Sequence, residues 1–122
     1  MPYTLTTNDS LQIIEIRYHG IVSGEDLKRA VVERVAVSES NNYHRSLADL
    51  SGLELSASLL NIHNLPEVQY EEEAMNPDTK IAIMTLHEHE LAEYFAAVSR
   101  NRGWQVKTFT DRTEALEWLV AD

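Results

Sequence analysis

The sequence predicts an α/β domain, in the order β-β-α-β-α-β-α-β-α, with a five-stranded mixed sheet that is mostly parallel and carries an antiparallel edge strand. Three observations lead there. Strand-like runs alternate with segments of helical period over most of the chain, an order that demands parallel crossovers. The run "KIAIMT" at 80–85 is nearly all apolar between polar neighbours, as a parallel strand covered on both faces must be. The first two strand-like runs are separated only by "NDS", a turn composition that joins strands as an antiparallel hairpin.

Each element has its own signal. Tyr3 to Thr7 and Leu11 to His19 form the hairpin, and Ile14, Ile16 and Tyr18 alternate with Glu15, Arg17 and His19, which predicts one apolar and one wet face. Ser23 with Asp26 three residues on resembles a capping box for a helix over 24–38, where Leu27, Val31 and Val35 fall one turn apart. Leu47, Ala48 and Leu50 read as a short buried strand interrupted by Asp49, which Ser51-Gly52 then turns. Between 51 and 78 the pattern is irregular. Leu59, Leu60 and Ile62 suggest a first helical piece, Pro66 breaks it, and "EVQYEEEAM" forms a second before Asn76-Pro77 stops it. A helix over 88–102 follows "KIAIMT", with Leu91, Phe95 and Val98 on one face and Gly103 at its C′ position. Trp104 to Thr110 is the last strand, and Asp111 with Glu114 caps a final helix that turns Ala115, Leu116, Leu119 and Val120 to the core.

Composition narrows the function. A chain of 122 residues, 43% hydrophobic and 25% charged, fits one folded domain over 1–122. It has no cysteine, which excludes disulfides, thiolate catalysis and cysteine-bound metal, and fits a cytoplasmic protein. No signal-peptide pattern and no long apolar segment is present, so the expectation is a protein neither exported by a signal peptide nor embedded in a membrane. A formal charge of -10 repels phosphate backbones and disfavours nucleic-acid binding. There is no Gly-rich phosphate loop, so no nucleotide cofactor is expected.

The polar clusters support little catalysis. Ser56 and Ser58 stand just before Leu59-Leu60, where a hydroxyl caps a helix start. His87 and His89 are two apart, so on a helix they diverge by about 200° and cannot share one metal. Only an extended backbone and a distant third ligand such as His63 would make a metal-dependent hydrolase of them, so no metal site is assigned. Asp49, Thr85 and Lys107 have the residue types of a phosphoacceptor aspartate with its partners, but the acids that would hold magnesium beside it are missing. Asp49 is better read as a partner of backbone amides. The acidic run 71–73 reads as a solvated face, and Tyr70, Met75, Tyr94 and Trp118 as packing residues.

"LADLSGLE" behind an amphipathic helix, "KIAIMT", and the ending "WQVKTFTDRTEALEWL" together resemble the SpoIIAA-like family, relatives of the STAS domains that include anti-sigma-factor antagonists. The resemblance covers most of the chain and implies a small non-enzymatic module, regulatory in role, that binds a protein partner or a small apolar, lipid-like ligand. In the antagonists a serine at a helix start after the third strand is phosphorylated by the partner kinase. Asp49 to Gly52 match the strand-end pattern, but "ELSASLL" replaces the Asp-Ser-Ser-Gly turn; Ser56 or Ser58 is the phosphoacceptor if the switch operates here. In an open α/β sheet ligands sit beyond the carboxyl ends of the strands, which makes Asp49, Ser51, Ser56, Ser58, Thr85, His87 and His89 the expected binding rim. The region 56–75 would cover a ligand against the sheet. Whether the protein forms a homodimer is left open.

Overall fold

In the computed structural model of the protein, residues 3–55, 78–86 and 90–121 are described. The helical pieces expected between 56 and 75, with Ser56, Ser58, His63, Tyr70, the run 71–73 and Met75, lie outside the described residues, as do His87 and His89.

The hairpin forms where "NDS" places it. β1 (Tyr3–Asn8) runs antiparallel to β2 (Ile13–Val22) in unbroken register from Tyr3↔Tyr18 to Asn8↔Ile13. The Asn8 side chain accepts a bond from Leu11 N at 3.2 Å, and Gln12 takes a left-handed φ of 57° to close the turn. Ile14, Ile16 and Tyr18 are buried as their alternation predicts. The opposite face is less wet than expected, because Ile13 is buried beneath the last helix and Glu15 is half-buried.

α1 (Gly24–Asn41) starts at the expected box: Asp26 N donates to Ser23 Oγ at 3.2 Å while Ser23 N donates to Asp26 Oδ2 at 3.0 Å. It outlasts its expected end at 38, since nothing breaks it until Asn42 adopts a left-handed φ of 58°.

β3 (Arg45–Leu55) differs most from expectation. Ser51 and Gly52 do not turn the chain but lie within the strand, because β2 also continues, through Gly20 at φ 69°, to Val22 and keeps β3 paired. Between Arg17↔Asp49 and His19↔Gly52 β3 advances three residues while β2 advances two, so a bulge absorbs the extra residue.

β4 (Lys80–Met84), α2 (Glu90–Asn101), β5 (Gln105–Phe109) and α3 (Arg112–Val120) complete the described elements. Strand order is β1-β2-β3-β4-β5, parallel except for the first pair. The crossovers through α1 and α2 both advance in the same direction along the sheet, so at one handedness they share a face. There Val31, Ile81, Ile83, Ala96 and Val106 pack together. Among the described side chains of α2 the most buried are Ala92, Ala96 and Ser99, with Phe95 and Val98 half-buried; these small residues let the helix lie close to the sheet. Gly103 ends the α2 segment at φ 90°, and Trp104 N donates to Ser99 O at 3.0 Å.

α3 covers the other face, where Ala115 and Leu119 meet Ile13, Leu47 and Ala82. Leu119, Leu47 and Ile13 are shielded almost completely, and each such side chain contributes about 1.5–3 kcal/mol. Leu116 is only partly buried against this cluster, and Val120 is exposed rather than core-facing, because Val120 is turned about 100° from inward-facing Leu119 on the helix. Among the described residues no helix is long and apolar enough to cross a membrane.

Candidate binding face at the ends of the parallel strands

Strand order follows sequence order throughout the sheet, so order alone marks no ligand crevice, and the case for a site rests on side chains. Asp49 lies where β3 outruns β4, opposite Met84, the last residue of β4. The residue is 4% exposed and its carboxylate is fully engaged. Oδ1 accepts from Ser51 N at 3.0 Å and Ser51 Oγ at 2.6 Å, and Oδ2 accepts from Arg17 Nε at 3.3 Å.

The pairing extends along the sheet. Arg17 Nη2 lies 3.8 Å from Glu15 Oε2, and Arg112 at the start of α3 forms a close ion pair with Glu15 Oε1. That buried oxygen makes no directional hydrogen bond, so its compensation is by charge alone. Two carboxylates meet two guanidinium groups, and the cluster is neutral as a whole. It ties the first turn of α3 to β2 and β3. An aspartate with both oxygens engaged is not poised as a nucleophile or phosphoacceptor, which agrees with its reading as a partner of backbone amides.

Thr85 follows β4 directly, and its N–H donates to Phe109 O at 2.9 Å. Continuing the alternation of Ile81 and Ile83, it belongs to the α1/α2 face, whereas Asp49 shares its face with Leu47 and α3. The two residues are therefore close along the strands but separated by the sheet. Lys107 is engaged elsewhere, with Nζ 5.4 Å from the Phe109 ring centroid. Asp49, Thr85 and Lys107 do not converge on one reacting centre. Among the described residues no three His, Asp or Glu side chains group to hold a metal.

What sequence reasoning missed is apolar. Ile21, 69% exposed, and Leu86, 66% exposed, are the most exposed large hydrophobics described, the first near the end of β2 and the second just past β4. Exposed Ser51 and Gly52 stand on β3, the strand between β2 and β4. A signal existed for Ile21: it follows His19-Gly20 and precedes the helix cap, where alternation puts it opposite buried Val22. Glu15 and Arg17 were legible as polar positions, but their link to Arg112 is set only by packing. Tyr94, read as a packing residue, is 39% exposed on α2.

No protein-family model matches the chain, and no characterised protein sequence matches it. Solved structures do. An uncharacterised protein of the DUF3478 family from Shewanella loihica PV-4, described as having a SpoIIAA-like fold, superposes with a TM-score of 0.58 at 18% identity, over 96% of this chain and 91% of its own. The anti-sigma factor antagonist SpoIIAA in its unphosphorylated form superposes with a TM-score of 0.62 at 8% identity, over 98% and 99% of the two chains. At these identities the likeness is one of fold.

Proposed function

From a chain with the SpoIIAA-like fold over nearly its whole length, we propose a single, non-enzymatic regulatory module of the STAS type. It binds a protein partner or a small apolar ligand at the C-terminal ends of its parallel strands. The observation that carries this reading is the pair Ile21 and Leu86, exposed at that end of the sheet beside a charge cluster that is already neutralised within the chain. Apolar side chains left in water near strand ends suit a recognition surface. Paired charges, with no free nucleophile beside them among the described residues, suit binding better than catalysis.

Native mass spectrometry of untagged protein from its own cell, compared with the I21D/L86D variant, tests the reading. The expected result is a bound species on the wild-type chain that the variant loses while its Tm stays within about 2 °C, since both positions are exposed. A bound species retained by the variant, or none on repeated isolation, overturns it. One observation favours a second reading, a serine switch at Ser56 or Ser58: a structural neighbour is described in its unphosphorylated form. The same spectra would then show a mass increase of about 80 Da.

A further inference from the structure

We propose that the outer edge of β1 is a self-association surface, on which two copies of the chain pair their first strands antiparallel across a two-fold axis and join two sheets into one. Among the described residues nothing pairs with this edge. Exposed edges are ordinarily guarded by charge, proline or a bulge. β1, "YTLTTN", has none of these: it carries no charged residue and no proline, and its register with β2 is unbroken over all its length. The opposite edge is guarded. β5 carries exposed Lys107, and Thr108 Oγ1 donates to Glu93 on α2. In a chain of formal charge -10, an uncharged strand is also where a second copy approaches with least local repulsion.

Alternation restricts the register. Facing residues must share a face, so in a two-fold pairing the numbers of opposed residues sum to an even value. The sum of ten, about Leu5, sets Leu5 against its own copy and Thr4 against Thr6. Leu5 is half-buried and already packs against Tyr3, Ile16 and Tyr18, so this register joins the two apolar clusters through the pair of leucines. On the other face it forms Thr–Thr pairs, which favour antiparallel strands. The alternative about Thr4 opposes only three pairs within Tyr3–Asn8, and that about Thr6 would place Leu5 opposite Thr7 and leave the leucine contact unmade. Five opposed pairs make a small interface at the weak end of specific association, so the dimer depends on concentration. Neither Ile21 nor Leu86 takes part, and the inference stands apart from the ligand-binding reading.

Sedimentation equilibrium of the full chain from about 1 μM to 1 mM covers the expected range. The wild-type mass should rise from 13.9 kDa toward twice that value. T4K/T6K sets lysine against lysine twice across the axis and should weaken the dimer about ten- to thirty-fold. T4E/T6K should hold it within a few-fold, because each introduced glutamate faces an introduced lysine of the other copy. Within one chain T4E faces Arg17 and T6K faces Glu15, opposite charges that hold the strand, whereas T4K faces Arg17, so the T4K/T6K comparison is made where amide exchange in β2 shows the sheet intact. A wild-type protein that stays monomeric throughout, T4K/T6K that dimerises as the wild type does, or folded T4E/T6K that is monomeric overturns the proposal. Amide exchange in β1 of the wild type, which needs no variant to fold, must slow with concentration; exchange independent of concentration overturns it equally.

Discussion

Replacing Asp49 should cost far more than replacing the arginine it pairs with. Arg17 keeps 59% of its side chain in solvent, so its contact with Asp49 is screened and worth about 0–1 kcal/mol. The Ser51 N–H and hydroxyl bond an ionised acceptor inside the strand end, and such bonds contribute roughly 1.5–3 kcal/mol each before water replaces them. Ser51 is exposed, so water recovers part of that loss when the carboxylate is removed. D49A should therefore destabilise by about 2–3 kcal/mol and R17A by at most about 1. For a chain of this size that is a fall in Tm of roughly 6–15 °C against a few degrees. Urea unfolding with a fixed m-value, on both single variants and the double, measures each cost and their coupling. An R17A cost equal to that of D49A, or a coupling above about 2 kcal/mol, would refute the reasoning, because Arg17 would then be an obligate counter-ion for a buried charge.

Two further outcomes concern the two faces of the sheet. The Tyr3 phenol is pushed up from 10.0 to about 12, first by burial and then by the nearby Glu33 carboxylate, with which it makes no well-formed hydrogen bond. A folded-state value above the unfolded one gives stability that is whole below pH 10 and lost as pH rises toward 12, a loss of roughly 2–3 kcal/mol. Y3F should remove that difference in a Tm titration from pH 8 to 12 and be neutral or mildly stabilising at pH 7; an unchanged alkaline limb would count against it. On the other face, Lys80 Nζ donates to Trp118 O at 3.1 Å and Ala121 O at 2.6 Å and lies 5.3 Å from the Trp118 ring centroid. α3 has no basic residue in its own last turn, so Lys80 caps its negative end. K80M should cost about 1–2 kcal/mol by urea unfolding, and no change would mean that solvent replaces the cap without loss.

Elements whose boundaries are enforced locally were legible in the sequence. The Ser23–Asp26 box, the Asp111 cap, which accepts from Thr113 N at 2.9 Å, and Gly103 at positive φ each act within a few residues. Boundaries set by a partner strand were not. Ser51-Gly52 has the composition of a turn, yet the continuation of β2 to Val22 holds it extended, and no property of 51–52 alone contains that information. The end of α1 misleads for a related reason: Ser38, Glu39 and Ser40 look terminal, but Ser38 Oγ donates to Tyr43 O and serves the exit of the helix from within it.

Position along the strands brings the candidate residues together, and strand geometry divides them by face. Side chains alternate with period two, so Asp49 and Thr85, one register step apart, belong to opposite surfaces of the sheet. On the α3 surface the carboxylates of Glu15 and Asp49 are matched by Arg17 and Arg112, which leaves that cluster without net charge to steer an ionic ligand. The unspent capacity at this end is the apolar surface of Ile21 and Leu86. Recognition that draws on these groups depends on shape and buried area more than on charge. Under the proposed reading, affinity for a ligand held by these groups need not fall with salt.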